Sequence, residues 1–138
     1  MKGYLDSILD YYDSLSFDQL DAATVHQVCR SFLDYFGCAI YTAKNACCAP
    51  LVELILSMGA AGEQTVFGSE RKSCFASAAC ANACRVSNIE MDDGSGINAA
   101  VHPGLYVWTA AAAAYEKQPC DAETLVKAVV FGYDLCMR

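Results

Sequence analysis

Small side chains crowd two stretches of this sequence that each have the length of a helix. Residues 74–89 are rich in Ala, Ser and Cys, and residues 104–117 contain an unbroken run of alanines at 110–114. Small side chains permit close approach of helix backbones, because the distance between helix axes depends on the side chains at the contact. The sequence therefore predicts an all-α fold, a multi-helix domain with close packing of small-residue helices.

The remaining helices are predicted from the spacing of apolar residues and from start and stop signals. Asp21 is expected to cap a long helix, Pro50 permits the start of another, and Gly59 and Gly62 end it. The predicted helices cover residues 4–14, 22–44, 50–58, 74–89, 104–117 and 122–138. The long helix is expected to bury one apolar stripe, made of Val25, Val28, Phe32, Leu33, Phe36 and Ile40. The one extended piece is expected at residues 65–67.

A polar, glycine-bearing segment at residues 91–104 separates the two small-residue helices. Asp92 and Asp93 lie at one end of it and His102 lies at the other. Adjacent carboxylates repel each other, so one of them can be held protonated and used as an acid. A histidine can take or give a proton near neutral pH. The segment therefore predicts proton chemistry.

Pro103 suits the first turn of a helix, which places His102 just outside that helix's N-terminus. Free backbone N–H groups at such a position favour a bound anion and disfavour imidazolium. Together with the carboxylates, this suggests an organic acid as substrate. A purely structural interpretation stays open, because Asp-Asp-Gly is a common loop and His-Pro-Gly is a common turn into a helix.

A collinear set of motifs resembles the MmgE/PrpD family. The first two are Glu90-Met91-Asp92-Asp93-Gly94 and His102-Pro103-Gly104, followed by an alanine-rich helix that ends in Ala114-Tyr115-Glu116. The other motifs lie, in the family's order, at residues 32–39, 62–68, 78–83 and 128–138. The resemblance covers residues 20–138, and it rests on the order of the motifs more than on any one of them.

The resemblance implies a lyase or isomerase that needs no cofactor. The family includes 2-methylcitrate dehydratase, cis-aconitate decarboxylase and iminodisuccinate epimerase, so the implied substrate is a small polycarboxylate and a hydro-lyase is the favoured class. The implied catalytic residues are Glu90, Asp92, Asp93 and His102. The implied substrate-binding residues are Gly94, Ser95 and Gly104. Of these, Glu90 and Asp93 would orient or protonate the substrate, His102 would act as acid or base, and the helix N-terminus at Gly104 would hold a carboxylate.

The sequence also departs from the family's pattern. Glu90 stands where members often have Asp, and Gly94 stands where the decarboxylase branch has a threonine. The loop from Asp93 to His102 is also slightly longer than in that branch. These differences argue against the decarboxylase reaction.

Charge limits the partners and the completeness of the site. The sequence has 16 acidic and 9 basic residues, for a net charge of −7. This balance argues against nucleic acid and anionic membrane surfaces, which need Lys and Arg. Near the loop the cations are Arg85 and, further off, Arg71 and Lys72, too few for a polycarboxylate. More polypeptide is therefore expected, either a second copy in a homodimer or downstream sequence.

The last predicted helix reaches Arg138 without a stop signal. We therefore expect residues 1–138 to be the N-terminal part of the family's helical domain. Its further helices and the smaller α/β lid domain would then lie downstream, together with the family's basic and tyrosine site residues.

Nine cysteines, an odd number, follow an N-terminus without the apolar run of a signal peptide. They predict free thiols in a reducing, cytoplasmic compartment. No metal site is expected, because no Cys-x-x-Cys pair occurs, although Cys80 and Cys84 share a helix face. The longest apolar stretch has about eleven residues, where about 18 or more are needed to span a membrane.

Two other classes of protein remain open. The chain could be a non-catalytic helical dimerisation or interaction domain, since 55% of its residues are hydrophobic and only 18% are charged. A thiol redox module would need a cysteine activated by a neighbouring cation, as at Cys29 beside Arg30 or Cys84 beside Arg85.

Overall fold

The structure is a computed structural model, and it describes residues 3–96 and 101–137. Its helices are α1 (Tyr4–Ser14), α2 (Ala22–Ala43), α3 (Ala49–Met58), α4 (Phe75–Ser87), α5 (Pro103–Lys117) and α6 (Ala122–Met137). Two short 3₁₀ turns lie at Phe17–Gln19 and Ala46–Cys48. The all-α prediction is confirmed, and each predicted helix is present within two residues at either end. Arg138, the predicted last residue of α6, lies outside the described residues.

The helix starts follow the capping signals of the sequence. Asp21 Oδ1 accepts the backbone N–H of Thr24 at 2.6 Å, and Asp121 Oδ1 accepts that of Thr124 at 2.7 Å. These hydrogen bonds to the charged form lower the pKa of both carboxyls. Pro103 occupies the first turn of α5, with His102 as the residue before the helix.

The buried face of α2 differs from the predicted stripe. Phe32 is 41% exposed, Leu33 70% and Ile40 59%. The residues that α2 buries are Val28, Ser31, Tyr35, Cys38, Ala39 and Thr42. The polar members of this face are satisfied within the helix, because Ser31 donates to the Val28 carbonyl and Thr42 to the Cys38 carbonyl. The stripe prediction is confirmed for Val28, which is buried, and for Phe36, which packs against the core. It is wrong for Phe32, Leu33 and Ile40, whose places on the buried face are taken by Tyr35 and by smaller side chains.

A short antiparallel pair joins α3 to α4. Its strands are β1 (Gln64–Thr65) and β2 (Lys72–Ser73), with Gln64 opposite Ser73 and Thr65 opposite Lys72. The sequence predicted an extended piece at 65–67 but did not predict β2. The two residues of β2, Lys72 and Ser73, carry no hydrophobic pattern from which a strand could be predicted. The pairing is therefore set by the surrounding helices.

Side chains of α4 and α5 hold the connection at Thr65 to Phe67. Asn82 Oδ1 accepts the Phe67 N–H at 2.8 Å, and Asn82 Nδ2 donates to the Thr65 carbonyl at 2.9 Å. The carboxylate of Glu116 accepts the Thr65 N–H at 2.9 Å and its hydroxyl at 2.6 Å. Asn82 thus pairs with the backbone on both sides of Val66.

Replacement of Asn82 by alanine is expected to destabilise the fold by about 1–3 kcal/mol, because it removes two hydrogen bonds and leaves a partly buried N–H and a partly buried carbonyl unpaired. Urea denaturation of the wild type and of Asn82→Ala measures this difference. Asn88→Ala, at an exposed position just after the same helix, loses only a contact with the exposed Cys47 thiol and should cost less, below about 1 kcal/mol. A loss of similar size in both variants would contradict this explanation.

The core consists of two clusters. One surrounds Tyr35, Val86, Trp108 and Val129, between α2, α4, α5 and α6. The other lies between α3 and α4, where Val52, Leu56 and Val66 pack against Ala78 and Ala81.

Small residues bring two pairs of helices close together. Ala78 and Ala81 of α4 are 2% and 0% exposed. At the contact of α5 and α6, a Cβ added to Gly132 would lie 2.8 Å from Cγ1 of Val107, so only glycine fits there. Close small-residue packing is thus confirmed. Within the described ranges, no helix has the length and apolar character needed to cross a membrane.

Candidate functional site

The candidate site lies in the loop between α4 and α5. The loop turns at Glu90, which has a left-handed backbone with φ of 51°. Further on, the Ser95 N–H donates to the Val101 carbonyl at 2.8 Å, and this isolated bridge brings the two ends of the loop together. Asp92 and His102, ten positions apart in sequence, therefore meet. Residues 97–100, inside the loop, lie outside the described residues.

Asp92 and His102 form a close pair. Oδ2 of Asp92 lies 3.3 Å from Nδ1 of His102, and the Asp92 side chain is only 3% exposed. Both carboxylate oxygens of Asp92 and Nδ1 of His102 are buried, and among the described residues none of the three atoms has a hydrogen-bond partner. Burial raises the pKa of the Asp92 carboxyl, while the nearby His102 acts in the opposite direction. For each of these two buried side chains, the other one is the nearest polar group that can offset the cost of burial.

The second nitrogen of His102 lies on the open side of the site. Nε2 is 4.0 Å from Oε2 of Glu90, whose side chain is 80% exposed. The His102 side chain as a whole is 34% exposed. Gly94 leaves room beside the ring, because an added Cβ would be 3.9 Å from His102 Cε1. A small molecule that reaches Nε2 would therefore meet Glu90 and Gly94 as well.

Asp93 holds the loop against three helices. Its Oδ1 accepts the Gly104 N–H at 2.8 Å, and its Oδ2 accepts the Tyr133 hydroxyl at 2.6 Å. Its own N–H donates to Oδ2 of Asp34 on α2, at 3.0 Å. Two causes raise the pKa of the Tyr133 hydroxyl: burial, which is the larger, and the hydrogen bond to Asp93. Both carboxylate oxygens of Asp93 are therefore engaged inside the fold.

Gly104 is required for these contacts. A Cβ at this position would lie 2.5 Å from Asp93 Oδ1 and 2.8 Å from the Tyr133 hydroxyl. Its N–H, the group expected to hold a substrate carboxylate, is already bonded to Asp93. Ser95, the other predicted binding residue, is half-buried and helps to close the loop.

Sequence reasoning missed the contributions of Tyr133 and Asp34. Both lie in motifs that carried the family resemblance, at residues 32–39 and 128–138, but no local signal in the sequence assigned them to the site. Tyr106 and Trp108, which follow His102 on α5, lie on different sides of that helix. Tyr106 is 58% exposed and Trp108 is in the core.

The described part of the site is strongly acidic. Glu90, Asp92, Asp93 and Asp34 converge there, and within the described residues no Lys or Arg forms an ion pair with them. Arg85 of α4 is buried against the end of α2, where it donates to the Thr42 carbonyl. Arg71 forms an ion pair with Glu53 at 2.6 Å. Among the described residues, no group of three or more His, Cys, Asp or Glu side chains is arranged to hold a metal ion.

These observations define an all-α domain in which a histidine beside a buried carboxylate precedes a helix. The family model of the MmgE/PrpD N-terminal domain matches residues 6–138, and the chain belongs to the MmgE/PrpD family. The resemblance carried by the motifs is thereby confirmed over nearly the whole chain. No curated protein and no solved structure matches the chain.

The raised pKa of Asp92 predicts how stability depends on pH. A folded-state pKa above the unfolded value means that the folded protein binds more protons between the two values. Stability should therefore fall as pH rises through this window, which begins near the unfolded value of about 3.9, by about 1.4 kcal/mol for each unit of the shift. Asp92→Asn should remove this fall.

Urea denaturation of the wild type and of Asp92→Asn, at a series of pH values from about 4 to 7, measures the effect. Asp18→Asn, at an exposed position in the turn before α2, is the control and should follow the wild-type curve. If the difference between wild type and Asp92→Asn is the same at every pH, the buried carboxyl does not titrate as described.

Proposed function

We propose that this chain is part of a lyase or isomerase that acts on a small polycarboxylate. The observation that carries the proposal is the placement of His102: Nδ1 faces a buried carboxylate, and Nε2 faces the open side of the loop. Membership of the MmgE/PrpD family supports the same class of reaction. No bound cofactor is needed for this chemistry.

His102 would act as the base or acid. A C–H bond next to a substrate carboxylate breaks, its proton passes to the imidazole, and its electron pair is delocalised into that carboxylate. In dehydration, a neighbouring hydroxyl then leaves with a proton as water. In epimerisation, the carbon takes a proton back on its other face.

Glu90 is placed to take part in the second half of either reaction. Its carboxyl lies 4.0 Å from Nε2 and is exposed, so both groups can reach one small substrate. Glu90 would give a proton to the leaving hydroxyl or hold the substrate in place. Gly94, which stands where the decarboxylase branch has threonine, favours a hydro-lyase over a decarboxylase. Asp93, with both oxygens engaged, would support the loop.

The acidic site needs cations from additional polypeptide to bind a polyanion. We propose that downstream sequence or a second copy of the chain supplies them. Exposed apolar side chains on α2 and α3 favour such a contact: Leu33 is 70% exposed, Ile40 59% and Met58 73%. The nine free cysteines favour a cytoplasmic location.

The test is incubation of the chain, produced together with any sequence that follows residue 138, in D₂O with 2-methylcitrate, cis-aconitate and iminodisuccinate, each followed by NMR. Proton abstraction next to a carboxylate appears as loss of a C–H signal, gain of deuterium at carbon or formation of product. We expect one acid to react and the activity to survive dialysis against EDTA. If none of the three acids exchanges or reacts, the proposal fails.

A second candidate function is a non-catalytic helical interaction domain. It is favoured by the same exposed apolar side chains and by the lack of Lys and Arg ion pairs around the described site. A titration with citrate distinguishes the two functions, since this domain would bind no polycarboxylate and would still self-associate in sedimentation. Millimolar or tighter binding of citrate would count against it.

A further inference from the structure

Asp92 is buried and has one polar group close to its carboxylate. Its side chain is 3% exposed, and Nδ1 of His102 lies 3.3 Å from Oδ2. Within the described residues, neither oxygen has a hydrogen-bond partner. A buried carboxylate without a donor carries a large desolvation cost, so the imidazole is the group that can offset it.

The pair fixes which nitrogen of His102 carries a proton. A neutral imidazole has one N–H donor and one acceptor nitrogen. A carboxylate beside Nδ1 favours a proton there, and this leaves the lone pair on Nε2. Nδ1 is buried, and Nε2 lies beside exposed Glu90, so the acceptor nitrogen is also the one that a substrate can reach.

Separate contacts hold the backbone next to Asp92 in place. The neighbouring residue, Asp93, is bonded to α2 through Asp34, to α5 through the Gly104 N–H and to α6 through Tyr133. Three helices therefore set the position from which the Asp92 side chain approaches His102. A carboxylate held in this way can orient an imidazole with little loss of side-chain freedom during the reaction.

We propose that Asp92 is a positioning residue, which holds His102 in the tautomer with a proton on Nδ1 so that Nε2 exchanges the substrate's proton. This inference rests on the proposed function and assigns Asp92 no contact with substrate. When a substrate C–H bond breaks, the proton forms an N–H bond at Nε2 and the electron pair stays on the substrate. The imidazolium then carries one positive charge, which the neighbouring Asp92 carboxylate balances. Reprotonation returns that proton and restores the neutral tautomer.

The first test needs no variant and no substrate. Long-range ¹H–¹⁵N NMR correlations identify the tautomer of each histidine at mildly alkaline pH, where a histidine is ordinarily neutral. The sequence has two histidines, and the variant His26→Gln assigns their signals. We expect His102 to carry its proton on Nδ1. A proton on Nε2 would mean that Asp92 donates rather than accepts, which overturns the proposal.

The second test is Asp92→Asn, which keeps the shape but can present an amide N–H to Nδ1. The tautomer of His102 should then shift to Nε2–H, and kcat should fall by about 10²–10⁴-fold with KM changed less than about threefold. The substrate is the most active of the three acids in the D₂O experiment. Asp93→Asn is the matched control for the spectrum, because its carboxylate contacts Gly104 and Tyr133, and it should leave the wild-type tautomer.

The failures of the two proposals are distinguishable. If Asp92→Asn keeps the wild-type tautomer or keeps kcat within threefold, Asp92 does not position His102. If the wild type reacts with none of the acids, the proposed function fails, whereas the tautomer of the wild type still decides whether Asp92 accepts from Nδ1. Should Asp92→Asn fail to fold, the wild-type spectrum alone carries the decision.

Discussion

Replacement of His102 by asparagine is expected to lower kcat/KM for the polycarboxylate substrate by about 10²–10⁴-fold, with a change in unfolding free energy below about 1 kcal/mol. The amide nitrogen of asparagine can take the place of Nδ1, so the buried carboxylate of Asp92 keeps a donor. Asparagine has no counterpart of Nε2, so the proton acceptor is lost. Activity and stability should therefore separate.

Steady-state kinetics and urea denaturation of the same preparation measure the two effects. His26→Asn is the matched control, since His26 is exposed on α2. It should leave both quantities unchanged. A loss of activity below tenfold in His102→Asn would show that another group moves the proton.

Local signals in the sequence were sufficient to predict the helices. Asp21 caps α2 as expected, Asp121 caps α6 in the same way, and Pro103 lies in the first turn of α5. These features depend on residues within three or four positions of each other, so no knowledge of the tertiary structure is needed. The position of His102 before a helix followed from the same kind of signal.

The buried face of α2 could not be predicted from its large apolar residues. Tyr35 packs in the core cluster, where its hydroxyl lies 2.9 Å from that of Thr109 on α5, and the buried Ser31 accepts the indole N–H of Trp108. Both contacts join residues more than 70 positions apart in sequence. The spacing of apolar residues carries no information about either contact, so the predicted buried face of α2 included Phe32, Leu33 and Ile40, which are exposed.

The candidate site was predictable in composition but not in geometry. The sequence placed Asp92, Asp93 and His102 in one loop, but it could not distinguish the roles of the two aspartates. Their difference depends on Asp34 and Tyr133, which lie 59 and 40 positions from Asp93. Adjacent side chains in a loop point in different directions, so one faces His102 and the other faces the helices.

Trp108→Ala is expected to destabilise the domain by about 3–5 kcal/mol, the largest loss of stability among the changes considered. Trp108 is 3% exposed in the cluster between α2, α4, α5 and α6, and its ring packs edge-on against Phe32 with centroids 5.3 Å apart. Truncation leaves a cavity and removes the donor to Ser31. Trp108→Phe keeps most of the ring and should lose less, about 1–2 kcal/mol.

Urea denaturation separates this core effect from a general sensitivity of α5. Tyr106→Ala, two positions earlier and 58% exposed, should cost less than about 1 kcal/mol. Because α5 begins at the residue after His102, loosening of its core contact should also lower kcat, whereas Tyr106→Ala keeps that contact. If Trp108→Ala costs no more than Tyr106→Ala, the packing of α5 described here is incorrect, and with it the basis for the position of His102.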